Sequence, residues 1–276
     1  MLVNSKELLK EALKEGYAVP SYNINNLEWT RFILEECNLN KSPVILGVTP
    51  SAISYFGDEK VVYSVVTSLI KSLGIKVPVV LHLDHGQSFE DCKRAIDAGF
   101  TSVMLDSSSK SLEENIFETN KVIDYANKNN VTVESEIGNI NNEKLASLED
   151  SIDFVRETNV DSLAPYIGNK HGIYEPGDTL DFELLGQICK NVRIPLVLHG
   201  ASGLDENKIK TSIFCGVSKI NFNTDLQIAW SNSIKEYLEY NKDIYDPRKI
   251  IKSGEKALKK VISEKNGIIG SKNRAN

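Results

Sequence analysis

The sequence predicts an α/β fold: a single-domain (β/α)₈ TIM barrel over residues 1–276, with an extra helix before the first strand and further helices after the last. Three observations carry this. Eight short apolar runs rich in β-branched residues recur along the chain, amphipathic stretches of helical period separate them, and nearly every run ends in a residue with useful chemistry. The first two would also suit a doubly wound open sheet. The third favours the barrel, which gathers functional side chains from the C-terminal ends of several strands, whereas an open sheet concentrates them at one switch point.

Asn4-Ser5-Lys6-Glu7 is helix-start chemistry ahead of Leu8, Leu9, Ala12 and Leu13 at helical spacing, and Gly16 closes that helix. Strands are expected at Ala18–Asn23, Val44–Val48, Val79–Leu83, Ser102–Leu105, Val131–Ile137, Ser162–Ile167, Leu196–His199 and Lys219–Asn223. Helices are expected at Glu28–Asn40, Glu59–Leu73, Glu90–Ala98, Leu112–Asn129, Ser151–Thr158, Phe182–Lys190 and Glu206–Cys215. Ser111-Leu112-Glu113-Glu114 reads as a capping box, in which serine and glutamate each satisfy a backbone N–H of the other. Ala164-Pro165-Tyr166 stands out in the sixth strand, because proline brings no ladder donor. Ser231–Tyr240 and Asp246–Lys265 read as two C-terminal helices, and the final SKNRAN as a frayed tail.

With 41% hydrophobic and 25% charged residues, the 276-residue chain can bury a large core, and no Pro/Gly/Ser-rich linker divides it. The net charge of −6 and the dispersed basic residues argue against nucleic acid as a partner. Cys37, Cys92, Cys189 and Cys215 form no C-x-x-C pair and read as buried reduced thiols. The N-terminus lacks an apolar signal core, and no run of about 18 apolar residues occurs. No membrane partner is expected, and the expected location is cytoplasmic.

The chemistry gathers at the strand ends. Three of the four histidines, His85, His171 and His199, precede glycine at or just past the end of a strand run. Any one alone would read as an ordinary hydrogen-bonded histidine; three at one end of a barrel suit a catalytic zinc, which takes three protein ligands and keeps a fourth position open. His82 reads as structural. Asp84 adjoins His85 but by strand alternation points differently, which suits a general acid/base. Asp106 and Glu136 end the next two strands and either hold a second cation, orient a ligand or stand as solvated rim carboxylates. The small residues of His199-Gly200-Ala201-Ser202-Gly203 and the end of the last strand, Asn221-Phe222-Asn223-Thr224-Asp225, lie where barrels commonly bind phosphate. We place Asn23, at the end of the first strand, and Ala201 with the substrate-binding set.

These motifs resemble the class II, zinc-dependent fructose-bisphosphate and tagatose-bisphosphate aldolases. The likeness runs almost end to end, through YAVPSYNINNLE (17–28), LHLDHG (81–86), SVMLD (102–106), VESEIG (133–138), IGNKHG (167–172), LVLHGASGL (196–204), KIN (219–221) and DPR (246–248). The resemblance implies that His85, His171 and His199 bind Zn²⁺, that Asp84 moves the proton of the hydroxyl at the cleaved bond, and that Asn221 contacts the enediolate. It implies that Gly172, Gly200, Ser202, Asn223 and Thr224 line a phosphate site, and that Asp106 and Glu136 belong to a second divalent or monovalent cation or to a structural shell. Arg248 would reach the distal phosphate across a subunit interface, in a homodimer or homotetramer. The implied substrate is a phosphorylated ketose of carbohydrate metabolism and glycolysis, cleaved to dihydroxyacetone phosphate and an aldehyde.

Two further departures from the family pattern accompany Pro165. The loop after the fifth strand, Gly138–Ala146, is short and leaves Glu143 as the nearest candidate for the carboxylate that handles the dihydroxyacetone phosphate carbon. Glu175 stands where many relatives have lysine, and a carboxylate repels phosphate. These changes motivate one alternative, a non-catalytic metal- and phosphosugar-binding barrel that senses or regulates. A metal-dependent hydrolase of the amidohydrolase type lacks its early H-x-H pair.

Overall fold

A computed structural model of the chain describes residues 2–140, 143–172, 174–175 and 177–275. Eight parallel strands close into a barrel in sequence order. They are β1 Val19–Asn23, β2 Val44–Val48, β3 Val79–Gly86, β4 Ser102–Leu105, β5 Thr132–Ile137, β6 Ser162–Pro165, β7 Leu196–Leu198 and β8 Val217–Phe222. Around them run α1 Lys6–Glu15, α2 Leu27–Leu39, α3 Pro50–Phe56, α4 Glu59–Ser72, α5 Phe89–Ala98, α6 Leu112–Lys128, α7 Leu148–Thr158, α8 Phe182–Val192, α9 Glu206–Phe214, α10 Thr224–Tyr240, α11 Pro247–Ser253 and α12 Glu255–Ile268. The (β/α)₈ barrel with extra terminal helices is therefore the observed architecture.

The alternation follows from local chemistry. Asn26, Asp58, Ser88, Ser147, Asp181 and Asp205 each accept a backbone N–H in the first turn of the helix they precede. Each such cap satisfies a donor that has no partner inside the helix. The expected capping box at Ser111 and Glu114 forms in full. The strands are buried on both faces, as a barrel wrapped in helices requires.

Helix α1 closes the N-terminal mouth of the barrel. Its Leu9 and Ala12 pack with Tyr17 and the strand residues Val19, Ile45 and Val80 into an apolar cluster distinct from the main core. Ser5 shares a hydrogen bond with Thr132 at 2.8 Å, at the start of β5. The C-terminal mouth is left open for chemistry.

Some expectations change. Strand β3 runs on to Gly86, whereas β6 stops at Pro165, where the ladder donor is missing. Thr49 caps α3, a short helix that the sequence reading omits. Helix α10 starts at Thr224 rather than Ser231, and the last helical stretch divides at Gly254. Of the cysteines, Cys37 and Cys92 are buried, while Cys189 and Cys215 are only partly so. The C-terminal tail is docked, not frayed: the N–H groups of Asn273 and Ala275 donate to the carbonyls of Asn40 and Lys41 at 3.0 and 2.8 Å. Buried Ser271 and Ser42 add a hydroxyl pair at 2.9 Å. Asn276 lies outside the described residues, as do Asn141 and Asn142 of the short loop and Ile173 and Pro176 of the HGIYEPG motif. Among the described residues no helix is long and apolar enough to cross a membrane.

Candidate active site

The C-terminal ends of the strands enclose a cavity of about 130 Å³, into which Asn23, Asp84, His85, His171 and Asn221 all project. Strict alternation would send Asp84 and His85 to opposite faces of β3. A register shift against β4 between Leu83 and Gly86 undoes that alternation, with His85 in the left-handed region at φ 55°. Such a conformation costs a non-glycine residue about 1–3 kcal/mol and persists only where the surroundings enforce it. Both side chains thus face one cavity, which corrects the alternation argument. Gly86 permits the shift: a Cβ there would lie 2.8 Å from the Met104 carbonyl oxygen.

Each imidazole is held by a different device. His85 Nδ1 lies 3.1 Å from Asp106 Oδ2, while Asp106 Oδ1 accepts the N–H and hydroxyl of Ser108 at 3.2 and 2.7 Å. Burial alone would lower the His85 pKa, but Asp84 and Asp106 raise it above the ordinary value. The Nδ1–H of His85 is committed to Asp106, so Nε2 is its free ligand atom. His199 is fully buried, with Nε2 3.0 Å from Glu134 Oε1 and Nδ1 3.2 Å from Glu136 Oε2. Burial opposes a charge there, yet these two carboxylates lift His199 to about 10. His171, from the exposed loop after β6, goes the other way. Desolvation and the neighbouring His85 and His199 push it down to about 4.

Beneath this trio lies a buried polar network in the barrel interior. Lys219 Nζ donates to both oxygens of Glu134, at 2.9 and 2.8 Å, and to His82 Nε2 at 3.2 Å. His82 must then donate from Nδ1, and its partner is the Ser102 hydroxyl at 2.8 Å. Burial and the lysine charge hold His82 at about 3, so it stays neutral. His82 is structural, as expected. Sequence reasoning missed the roles of Glu134 and Lys219. A signal was present, since a charged residue inside a buried strand needs a partner.

Candidate ligand atoms of His85, His171 and His199 lie within 4.8 Å of one another, a spacing that suits one ion after small side-chain rotations. His85, Asp106 and Glu136 form a second such group. Glu136 Oε1 is buried without a hydrogen-bond partner, an unsatisfied acceptor that a cation would satisfy. The donor set therefore fits a divalent metal.

Asp84 is clamped by two amides: Oδ2 accepts from Asn23 Nδ2 at 2.9 Å and Oδ1 from Asn221 Nδ2 at 3.2 Å. Its burial would raise the pKa, but His85, Lys219 and His199 hold it well below the usual carboxylate range. On the far wall, the Ser202 hydroxyl accepts the N–H groups of Asn223 and Asp225 at 3.2 and 3.3 Å, which leaves its own proton free to donate. Asn223 makes no side-chain cap at the start of α10, and Gly172, Gly200 and Thr224 complete this wall. A helix start without a cap from its own N-cap side chain, beside a hydroxyl with a free proton, is anion-binding geometry.

Four expected positions stand elsewhere. Glu143 is exposed after β5, at φ 56°, and does not line the cavity; beside it Asn139 and Lys144 pair through backbone bonds at 2.7 and 3.0 Å. Glu175 is also exposed and off the cavity wall, where solvent screens its charge. Ala201 is fully buried, and its N–H is already given to the Asn221 carbonyl at 3.2 Å, so it braces the wall without offering a donor. Arg248 is bound to Asp246 and 89% exposed on α11, and does not reach the cavity of its own chain. Thr49 lines the cavity and was not anticipated.

A family model described as fructose-bisphosphate aldolase class-II matches residues 3–274. The fructose-bisphosphate aldolase of Geobacillus stearothermophilus is 44% identical over 283 residues, covering 99% of each chain. Among solved structures, the YdjI aldolase of Escherichia coli K12 superposes with a TM-score of 0.90 at 32% identity, covering 100% of both chains. Fructose-bisphosphate aldolase from Campylobacter jejuni gives a TM-score of 0.86 at 26% identity, covering 100% of this chain and 97% of that one.

Proposed function

The chain belongs to the class II fructose-bisphosphate aldolase family, and from that premise we propose that the cavity reversibly cleaves a ketose 1,6-bisphosphate, fructose or tagatose, to dihydroxyacetone phosphate and an aldehyde. The observation that carries this reading is the Asp84 carboxylate, pinned by Asn23 and Asn221 beside three convergent imidazoles. A site built only to bind a metal has no need of a fixed, ionised carboxylate next to the ligands.

His85, His171 and His199 would hold the ion, and three imidazoles with an open position suit Zn²⁺. When bound, it supplies Lewis-acid stabilisation of the negative charge that cleavage leaves on the ketose carbonyl oxygen. Asp84 accepts the proton of the hydroxyl at the breaking bond and returns it during condensation. Asn221 keeps Asp84 oriented, and its own Oδ1, buried without a partner, is left to accept a hydroxyl of the enediolate part of the substrate. The Ser202 hydroxyl, the start of α10 and the Gly172 and Gly200 backbone bind the phosphate. Asp106 and Glu136 form the place for a second divalent or a monovalent cation. Arg248 acts on a neighbouring copy, in a homodimer or homotetramer, where its exposure lets it reach a distal phosphate. This reading places the enzyme in the cytoplasm, in carbohydrate metabolism and glycolysis.

The test is metal-dependent cleavage of fructose and tagatose 1,6-bisphosphate by the zinc-loaded protein. Chelation is expected to abolish turnover, and Asp84→Asn to lower kcat by about 10²–10⁴-fold with zinc content unchanged. Cleavage of neither sugar by protein that still binds dihydroxyacetone phosphate would favour the sensing role, and activity that survives complete metal removal would refute the metal assignment.

A further inference from the structure

The β6–β7 junction is the thinnest in the barrel. It has one registered pair, Leu163 with Leu196, where β2–β3 has five and β5–β6 has four. Yet the loops that continue these two strands carry His171 and His199.

In a parallel ladder, alternate residues of a strand donate to the same neighbour. Leu163 N–H donates to the Pro195 carbonyl of the β7 side at 3.1 Å, and Tyr166 N–H donates to Ile137 on the β5 side at 2.8 Å. The next donors toward β7 are therefore residues 165 and 167, facing the carbonyls of residues 197 and 199. Residue 165 is proline and has no N–H. Ile167 does not reach His199 directly. Its N–H donates to Asn169 Oδ1 at 3.0 Å, and Asn169 Nδ2 donates to the His199 carbonyl at 3.1 Å. The side-chain amide sits where the next ladder bond belongs, in register, and is 4% exposed. Tyr174 adds a second tie: its hydroxyl accepts Lys170 N–H at 3.1 Å and donates to the Gly200 carbonyl at 2.9 Å.

We infer that Asn169 is a positioning residue: it carries the β6–β7 ladder across the break at Pro165 and so fixes the spacing between the His171 loop and His199. Its consequence for metal binding rests on the proposed metal site, whereas the ladder repair itself does not. One face of Asn169 tethers its own strand end, the other the backbone of a buried imidazole. Losing it lets the two loops separate while leaving all three imidazoles present.

The experiment compares Asn169→Ala, Asn169→Asp and Asn169→Ala/Pro165→Ala with the unaltered full-length protein. In metal-free protein, Asn169→Ala is expected to speed amide exchange at Ile167 roughly 2- to 10-fold, the loss of one hydrogen bond. Asn169→Asp keeps that acceptor and should leave Ile167 exchange near the unaltered rate, while still losing the donor to His199. Both single variants should weaken zinc binding about tenfold in chelator competition and alter the visible spectrum of the cobalt-substituted protein. Restoring an N–H at position 165 should recover part of that affinity. Unchanged Ile167 exchange in Asn169→Ala would overturn the ladder repair, and unchanged zinc affinity and cobalt spectrum in both single variants would overturn the positioning role. Should the unaltered protein bind no zinc, the metal assignment fails, and Ile167 exchange still decides the ladder repair.

Discussion

The two mouths of the barrel are made by the same eight strands and treat their residues in opposite ways. At the N-terminal mouth, α1 lays Leu9 and Ala12 over Val19, Ile45 and Val80, and the opening is filled with apolar side chains. At the C-terminal mouth, buried acceptors of Glu136, Asn221 and Asn223 lack partners, and His85 is held at positive φ. One end is closed by packing, with the buried Tyr17 hydroxyl also left without a partner there, and the other gathers unsatisfied acceptors around a cavity. The difference separates residues that stabilise the barrel from residues for which the barrel provides the setting.

Substitutions should tell these regions apart. Lys219→Met, in the network between the mouths, leaves buried Glu134 with His199 as its remaining cationic partner and should cost about 3 kcal/mol of stability. Because Glu134 also holds His199, zinc affinity should fall with it, read by denaturant unfolding and metal competition together. Leu9→Ala should cost about 2–5 kcal/mol as a cavity at the closed mouth, yet leave kcat per folded molecule and zinc affinity unchanged. A loss of zinc affinity in Leu9→Ala would show that the mouths are coupled.

Proton linkage gives a smaller, signed effect. Glu134 and Glu136 lift His199 to about 10 in the metal-free protein, so zinc binding must displace a proton. Apparent zinc affinity should rise about tenfold per pH unit from neutrality towards pH 10, measured as proton release by calorimetry in buffers of different ionisation enthalpy. Without metal the sign for stability reverses. The charged His199 stabilises the fold fully below the ordinary histidine value of 6.5, and that contribution is lost as pH rises through about 10. The smallest effect is expected for Glu143→Ala, an exposed residue off the cavity wall, with kcat and proton exchange at the dihydroxyacetone phosphate carbon changing by no more than about twofold. A loss of exchange there would mean that the short loop moves over the site.

Much of the site was legible because its residues are chemically rare. Four histidines, three of them before glycine at strand ends, single themselves out, and Asp84 is marked by its neighbour. Glu134 and Lys219 were harder to read, since Glu134 shares its strand with Glu136, Lys219 is a lone charge in β8, and each acquires meaning only when Nζ and carboxylate are found 2.8 Å apart across the barrel. Asn169 was hidden for the same reason: its function lies in the register between β6 and β7, where its amide meets a carbonyl 30 residues away in sequence. Glu143 was drawn towards the site by proximity in sequence, whereas it stands exposed and off the cavity wall.

The sequence by itself determined the eight-strand alternation, the capping box at Ser111 and Glu114 and the three candidate imidazoles, because periodicity, capping and residue type are local properties. Only the tertiary structure decided that Asp84 and His85 share one cavity, that the tail is docked and that an asparagine side chain completes the sheet beside Pro165. Each of these depends on a register shift or a backbone bond between segments far apart in the chain, and no local pattern encodes where such distant atoms meet.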